Sequence, residues 1–78
     1  MDVVSATVDA RGQSCPGPLV ALHKALKDAD RGDLLELLAT DPGSKSDVPS
    51  WAELTGNVLQ SAETLDDGSF RYLISRVV

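Results

Sequence analysis

The feature that most limits how this chain can fold is a short apolar run at residues 34–39, Leu-Leu-Glu-Leu-Leu-Ala. Leucine is a good helix former, so the run alone does not choose between a helix and a strand. Turn-forming residues flank it, with Gly32-Asp33 before the run and Asp41-Pro42-Gly43 after it. A short apolar run between turns favours a strand that is buried on most of its surface. The rest of the chain must therefore supply the elements that cover it.

Three further segments predict strands. Residues 3–8 are mostly β-branched, and residues 58–65 and 70–77 have strand length and strand-like composition. Asp66-Asp67-Gly68, between the last two segments, is a strong hairpin signal. In the last strand, one face is predicted to carry Phe70, Tyr72 and Ile74.

The first helix is predicted to begin near Pro16, because a proline at the first helical position loses no hydrogen bond and has its φ preset. Asp9 to Ser14 form the polar loop before it, and Gly32 is the predicted stop. The apolar residues after Pro16 recur at helical spacing and form one face of an amphipathic helix. This face consists of Leu19, Leu22, Leu26 and Ala29, widened by Val20 and Ala25.

A second, shorter helix follows Pro42-Gly43, whose residue order predicts a type II turn. Ser46 or Asp47 is the predicted N-cap, and Gly56-Asn57 is the predicted end. The side chains predicted to point inward are Val48, Trp51, Ala52 and Leu54.

These elements give the order β-α-β-α-β-β in a single domain over residues 1–78. Right-handed crossovers place both helices on one face of the sheet. We therefore predict a two-layer α/β (α+β) sandwich with a mixed four-stranded sheet. On the uncovered face, the predicted polar residues are Glu36, Arg71 and Ser75. If the first two strands are parallel, the loops that follow them meet at one edge, so Cys15 lies near the loop of residues 41–47.

The composition argues against several functions. The net charge is −5 and the seven basic residues are scattered, whereas non-specific nucleic-acid binding needs clustered Lys and Arg. No apolar run approaches the roughly 18–20 residues of a membrane span, and the N-terminus lacks a signal-peptide pattern. The single cysteine forms no internal disulfide, and an unpaired thiol suits a reducing compartment. We therefore expect a cytoplasmic protein that binds neither nucleic acid nor membranes directly.

Cys15 is the candidate functional residue. At a helix start its sulfur faces unpaired N–H groups and the positive end of the helix dipole, and both favour the thiolate. Pro16 and Pro18 fix this turn but lack N–H groups, so we expect only a modest lowering of the thiol pKa. Arg11 is placed to approach the thiol from the loop. The alternative is a buried cysteine acting as a small hydrophobe, against which the surrounding glycine, serine and proline residues argue.

Few partners are available to this thiol. A second cysteine for a redox pair is missing, and His23 lies roughly 12 Å further along the helix, too far for a Cys–His dyad. One cysteine and one histidine do not make a zinc site, so we predict no metal and no cofactor. A lone accessible thiolate can still take sulfur from a persulfide and pass it on. The alternative is a non-catalytic interaction or regulatory module in which Cys15 is not essential, and whether the protein is an enzyme is left open.

Asp41 and Asp47 bracket the turn after the second strand. The simplest interpretation makes them turn and cap residues. The alternative is that they form a partner-docking edge beside Cys15. The sequence does not determine the oligomeric state, for which a monomer is the expectation.

The residues around Cys15 resemble the Cys-Pro-x-Pro signature of the TusA/SirA-like family of small sulfur-carrier proteins. The similarity covers nearly the whole chain in order, through Asp9-x-Arg11-Gly12-x-x-Cys15-Pro16-x-Pro18-Leu19, Thr40-Asp41-Pro42, Asp47-Val48-Pro49-x-Trp51, the acidic hairpin and Phe70-x-Tyr72-x-Ile74. Two positions depart from the pattern of the family. Gly17 stands where glutamate is frequent in the family members that serve tRNA thiolation, and Asn57 stands where histidine is frequent.

The resemblance implies the fold described above and a sulfur-carrier function. Cys15 would hold a persulfide received from a protein donor, such as a cysteine desulfurase or a rhodanese-like protein. It would pass the sulfur to an acceptor protein in tRNA thiolation, cofactor maturation or sulfur oxidation. Arg11, Gly12, Pro16 and Pro18 would hold and present the thiol.

Overall fold

The computed structural model of the protein describes residues 4–14 and 17–77. In chain order the elements are β1 (Ala6–Ala10), α1 (Gly17–Asp28), β2 (Leu34–Ala39), α2 (Ser44–Thr55), β3 (Val58–Thr64) and β4 (Phe70–Ser75). The predicted order β-α-β-α-β-β is therefore confirmed. The strands form one mixed sheet of four in the spatial order β1-β2-β4-β3, with β1 and β2 parallel and the other pairs antiparallel.

The apolar run of residues 34–39 is strand β2, with the predicted bounds. It lies between β1 and β4, so all of its backbone can be paired. Leu35, Leu37 and Ala39 are fully buried on its helix-covered face. Fully burying a leucine stabilises a fold by about 2 kcal/mol, so β2 is a main source of the stability of this small domain.

Both helices cover the same face of the sheet, as predicted. Leu22 of α1 and Val48 of α2 are fully buried and belong to one continuous core with the inward side chains of β2 and β4. Along β4, burial alternates with the period of a strand covered on one side. Its buried residues are Phe70, Tyr72 and Ile74, the face predicted from the sequence.

The ends of several elements differ from the predicted ones. Strand β1 covers residues 6–10, so Asp9 and Ala10 belong to the strand and not to the following loop, while Val4 lies outside it. The reason is non-local: Ala6 to Ala10 pair in register with Leu35 to Ala39, and Ala10 is fully buried. Strands β3 and β4 end one and two residues earlier than predicted.

Helix α1 ends at Asp28 and not at Gly32, which lies in the next turn at φ +91°. Arg76 determines this end, because its guanidinium donates hydrogen bonds to the carbonyl oxygens of Leu26, at 2.5 Å, and Ala29. A cation there satisfies carbonyls that have no partner within the helix and offsets the negative end of its dipole. Val20, predicted to widen the apolar face, is instead about half exposed.

Helix α2 begins at Ser44, earlier than the predicted caps. Gly43 has the helical angles φ −62° and ψ −23°, so the predicted type II turn is wrong, since that turn needs a positive φ there. The helix ends as predicted, with Gly56 in the left-handed conformation at φ 77°. Leu54, predicted to point inward, is 86% exposed.

No helix in residues 4–14 and 17–77 is long and apolar enough to cross a membrane.

The uncovered face of the sheet carries a polar row that crosses all four strands. In spatial order the row is Thr7 of β1, Glu36 of β2, Arg71 of β4 and Glu63 of β3. Thr7 Oγ1 donates to Glu36 at 3.0 Å, Arg71 Nε donates to the same carboxylate, and Arg71 donates to Glu63 at 2.8 Å. The hydrogen bonds from Arg71 and Thr7 lower the pKa of Glu36, the one from Arg71 most of all. Two of the residues expected to make this face polar, Glu36 and Arg71, are thus at its centre.

A buried hydrogen bond fixes the start of α2 on the sheet and gives a test of the fold. Ser44 Oγ and the Tyr72 hydroxyl share a bond of 2.7 Å, and both residues are 2% exposed. We expect Tyr72→Phe to lower the free energy of unfolding by about 1–3 kcal/mol, because it leaves a buried hydroxyl without a partner. Urea denaturation measures the change. Ser44→Ala in the Tyr72→Phe background should cost less than in the wild type, and additive costs would contradict this interpretation.

Candidate functional site

The candidate thiol, Cys15, and the adjacent Pro16 lie outside the described residues, but the residues on either side of them are described. The backbone N–H of Gly17 donates to the carbonyl oxygen of Ser14 at 2.8 Å. Upstream, the N–H of Gln13 donates to the carbonyl oxygen of Ala10 at 3.2 Å, where β1 ends. The chain on both sides of Cys15 is therefore tied down. We call residues 11–17 the thiol loop.

The thiol loop is also tied to the loop after β2. The N–H of Gly12 donates to Thr40 Oγ1 at 2.9 Å. Gly12 has φ +83°, a conformation that L side chains rarely adopt, which accounts for a glycine in the predicted presentation motif. Because β1 and β2 are parallel, the loops that leave them meet at the carboxyl edge of the sheet, as predicted.

Arg11 makes a two-point ion pair with Asp9, the residue two positions before it. Its Nε and one terminal nitrogen donate to the two carboxylate oxygens at 2.9 and 2.8 Å. The pKa of Asp9 is lowered from 3.8 to about 2. The side-chain bonds from Arg11 are the main cause, and a bond from the Arg11 backbone N–H is the second. The guanidinium predicted to approach the thiol is thus oriented by Asp9, at an exposed position.

Pro18, the second proline of the motif, is fully buried in the first turn of α1. Its ring is shielded from solvent at the start of the helix, and its missing N–H costs nothing there. That Pro18 holds the thiol stays a prediction.

Asp41 and Asp47, the predicted docking pair, come together around Gly43. A Cβ atom on Gly43 would lie 3.2 Å from Asp41 Oδ2 and 3.7 Å from Asp47 Oδ2. Both aspartates are half-buried. They lie at the start of α2, on the loop joined to the thiol loop through Thr40, and so at the same edge of the sheet.

The β3–β4 hairpin is a third loop at this edge, which the sequence analysis did not associate with the site. Asp67 Oδ1 accepts hydrogen bonds from the N–H and hydroxyl of Ser69 at 2.9 and 2.6 Å, which are the main causes of its lowered pKa. Attraction from Arg11 lowers the pKa of Asp67 further, so Arg11 is close enough to interact with the hairpin carboxylate as well as with Asp9. No pattern along the chain signals a proximity between residues this far apart.

A shallow pocket of about 170 Å³ lies beside the hairpin. Lys45, in the first turn of α2, places its ammonium 4.7 Å from the centre of the Phe70 ring, a cation–π contact. The lining residues are Lys45, Ala62, Glu63, Thr64, Phe70 and Tyr72. The sequence suggested no role for Lys45, and the contact places a cation among the acidic residues of the edge.

Comparison with known proteins identifies the family. A family model described as Sulfurtransferase TusA matches residues 6–76. The sulfur carrier protein TusA of Pseudomonas syringae pv. syringae is 38% identical over 73 residues, which cover 94% of this chain and 86% of that protein. The chain belongs to the TusA family. The TusA protein of Pseudomonas putida strain GB-1 is also 38% identical, over 72 residues covering 91% and 88% of the two chains.

The fold agrees with this membership in the TusA family. The crystal structure of a SirA-like protein from Desulfitobacterium hafniense superimposes with a TM-score of 0.82 at 27% identity, covering 94% of this chain and 99% of that one. The two-layer fold and the sulfur-carrier role predicted from the sequence are confirmed at the level of the TusA family. Sulfur carriers act on other proteins, so the site must be one that another protein can reach.

The Asp9–Arg11 pair gives a prediction with a definite pH window. Because the folded-state pKa of Asp9 lies below 3.8, the pair stabilises the fold fully above that pH and stops doing so as the pH falls through about 2. We expect the Asp9 carboxyl carbon, followed by NMR, to titrate near pH 2. Arg11→Gln should raise the pKa of Asp9 towards 3.8, whereas Arg31→Gln, which removes an exposed charge after α1, should not. A wild-type midpoint near 3.8 would disprove the assigned pairing.

Proposed function

We propose that this protein carries sulfur as a persulfide on Cys15, between a donor protein and an acceptor protein. Membership of the TusA family supports the carrier role. The observation that supports Cys15 as the carrying residue is the hydrogen bonding on both sides of it, from Gly12 to Thr40 and from Gly17 to Ser14. These bonds hold the residues on either side of Cys15 at the carboxyl edge of the sheet, which we propose is the edge that a protein partner approaches.

The proposed transfer is a thiol exchange that balances without an added oxidant or reductant. The Cys15 thiolate attacks the outer sulfur of a donor persulfide, R–S–SH, and a new S–S bond forms as the donor S–S bond breaks. The donor leaves as the thiolate R–S⁻, and the outer sulfur keeps its proton as Cys15–S–SH. An acceptor thiolate repeats the step on the outer sulfur and releases the Cys15 thiolate. No metal or cofactor takes part.

The residues around the thiol hold and present it. Pro18 is buried in the first turn of α1, and Gly12 turns the chain towards Thr40. Arg11, held by Asp9, contributes a positive charge at the exposed edge. Pro16, next to Cys15, is proposed to preset the first helical turn.

The partner is proposed to dock on the carboxyl edge of the sheet. Asp41 and Asp47 at the start of α2 and Asp67 in the hairpin place carboxylates around the thiol loop. A partner with a basic rim around its own sulfur site fits this edge, because complementary charge raises the rate of encounter and fixes the orientation. The proposed donor is a cysteine desulfurase or a rhodanese-like protein. A free, unpaired thiol is kept reduced in the cytoplasm, which is the proposed compartment.

The carrier proposal is tested by loading the protein with sulfur. After incubation with inorganic polysulfide, intact-mass spectrometry should show the gain of one sulfur atom, and a reductant should remove it. Cys15→Ser is the matched control, since it replaces only the sulfur, and it should gain nothing. If the wild type shows no Cys15-dependent adduct with polysulfide or with a persulfide-loaded cysteine desulfurase, the proposal is wrong and Cys15 is not essential to the function.

The docking edge is tested by separating protein donors from small ones. We expect Asp41→Asn with Asp47→Asn to slow sulfur transfer from a persulfide-loaded cysteine desulfurase, and to remove part of its salt dependence. Loading by polysulfide, which needs no docking, should not change. Asp28→Asn with Asp30→Asn changes the net charge equally at the C-terminal end of α1 and is the matched control. Equal slowing by both double variants would contradict a local docking role.

A further inference from the structure

We propose that strand β1 is a docking edge, at which an extended segment of another protein adds to the sheet and places a basic side chain in the groove between β1 and α1. The proposed partner is a protein that holds this chain while sulfur is exchanged elsewhere on it. The proposal goes beyond the sulfur-carrier function. It rests on the backbone of β1 and on the residues of the groove, and not on Cys15.

Strand β1 has one side free for a further strand. It lies at the end of the spatial order β1-β2-β4-β3 and, among the residues that the structure describes, it pairs only with β2. Just before it, the N–H of Ser5 donates to the carbonyl oxygen of Leu34 at 2.7 Å. Because the backbone groups of a strand in a parallel pair point alternately towards and away from its neighbour, those of Ala6 and Val8 point away from β2. An edge strand offers such groups to a further strand.

The two edge strands of the sheet differ in how well they resist a further strand. The pairing of β3 with β4 shifts in register, and Glu63 adds a charge to that edge. Strand β1 pairs with β2 in unbroken register from Ala6 to Ala10, and its one charged residue, Asp9, is paired with Arg11. Bulges, prolines and free charges are the features by which edge strands avoid further pairing. Strand β1 is therefore the edge that is open to a partner.

A groove of about 260 Å³ lies beside β1 on the helix-covered face of the sheet. Its apolar lining comes from three elements, and consists of Ala6 of β1, Ala25 and Ala29 of α1 and Leu35 of β2. Pockets that bind drug-sized ligands have volumes of about 300–1,000 Å³. The groove is smaller than these pockets, so it has room for one long side chain and not for a cofactor.

The charges of the groove favour a basic side chain. Asp28 and Asp33 line it, and none of its described lining residues is basic. Asp33 is half-buried, and its Oδ2 accepts a hydrogen bond of 2.9 Å from the backbone N–H of Asp30, which orients the carboxylate. A lysine or arginine side chain fits both parts of the groove. Its methylene groups pack on the alanine and leucine surface while its charged end bonds to the carboxylates.

The open edge and the groove belong to one binding mode because Ala6 is part of both. Its backbone groups point to the open side of β1, and it lines the groove. Side chains alternate between the two faces of a strand, so the residue of an added strand beside Ala6 on the helix-covered face enters the groove. In strand addition the main chain supplies the affinity, and pockets for alternate side chains supply the specificity.

A second copy of this chain does not fit this edge. Neither β1 nor β3 carries a basic residue that could enter the groove of the other copy. Each copy also has a net charge of −5, so two copies repel each other. The occupant is therefore a different protein, with an extended segment that carries at least one lysine or arginine.

The position of the groove assigns this partner a holding role. Ala6 is the first residue of β1, and the thiol loop follows Ala10, the last. These two residues are about 13 Å apart at roughly 3.3 Å per residue of a strand. A basic side chain in the groove therefore fixes the partner at the opposite end of β1 from the thiol loop. The carboxyl edge, where the exchange of sulfur is proposed, stays open.

The test is an NMR titration of the nitrogen-labelled protein with the peptide Ac-Thr-Val-Thr-Arg-Thr-Val-Thr-NH2, in which valine and arginine share one face of a strand. We expect the amide signals of Ala6 and Val8 to shift until they saturate, and their hydrogen exchange to slow, because the added strand bonds these groups. The same peptide with citrulline in place of arginine has the same shape without the charge. It should bind about twofold to fivefold more weakly.

Variants separate the groove from the edge. Asp33→Asn should weaken binding of the arginine peptide and not of the citrulline peptide. Glu53→Gln, an equal change of net charge on α2, should alter neither. Ala6→Pro removes an N–H that points away from β2 and should abolish strand addition. Should Ala6→Pro unfold in a urea titration, the wild type answers the same question with peptides methylated on alternate backbone nitrogens, of which only one set should fail to bind.

Each contrary outcome overturns a stated part of the proposal. Signals of Ala6 and Val8 that do not saturate, or shifts at β3 instead, would contradict docking at β1. Equal binding of the arginine and citrulline peptides would contradict a basic occupant. Shifts of the same two signals on dilution of the protein alone would show that a second copy takes the edge.

The holding role and the carrier function are tested separately. At a saturating concentration of the arginine peptide, loading of Cys15 by polysulfide should proceed as in the free protein, as measured by intact mass. Loading that is blocked by the peptide would contradict the holding role. The titration does not depend on the thiol, so its failure would leave the carrier proposal standing, and a protein that takes up no sulfur could still bind the peptide.

Discussion

The parallel pairing of β1 with β2 is the constraint on which the rest of this structure depends. Parallel strands cannot be joined by a tight turn, so the chain between them must cross over the sheet, and α1 is that crossover. The same pairing makes the loops after β1 and β2 leave the sheet at one edge. The start of α1 is therefore at that edge by necessity, and Gly12, in the loop before it, bonds to Thr40 in the loop that leads to α2. The position of the candidate site follows from strand direction before any side chain is considered.

Local contacts then restrain the residues of the loop that follows β1 at this edge. Gly12 gives its N–H to Thr40, Asp9 orients Arg11, and Gln13 fills the space beside Gly17. None of these contacts is strong alone, since each is exposed or half-exposed. They act on the consecutive residues 11–13, and one of them, from Gly12 to Thr40, joins this part of the chain to the loop after β2. A carrier that must offer the same atom to two different proteins gains from such a loop, because neither partner then has to order it on binding.

Sequence reasoning succeeded where a signal was local. Strand β2 was predicted with the correct ends because turn residues stand on both sides of it, and the hairpin was predicted from Asp66-Asp67-Gly68. The predicted ends were wrong where pairing with a distant segment determines them. Strand β1 lies further along the chain than its β-branched residues indicate, because pairing with β2 sets its register. Helix α2 starts before its predicted cap because Gly43 adopts helical angles that no local preference requires.

The candidate site divides in the same way. That the loops of Cys15 and of Asp41 and Asp47 share an edge was predicted, because it needs only parallel strands. The interaction of Asp67 with Arg11, and the placing of the Gln13 side chain where a Cβ of residue 17 would lie, were not predicted, because they depend on the paths of loops and on the rotamers of long side chains. Neither the path of a loop nor the rotamer of a side chain produces a periodic pattern along the sequence.

Strand β3 has a consequence for how the protein behaves at high concentration. It forms one edge of the sheet, and all of its residues except Leu59 are exposed. An exposed edge is a template on which further copies can add as strands and grow into aggregates. Between Leu59 and Ser61 the register with β4 shifts, which increases the local twist, and Glu63 adds a charge. This irregularity interrupts the flat row of backbone groups that stacking requires, and so it disfavours the addition of further strands at this edge.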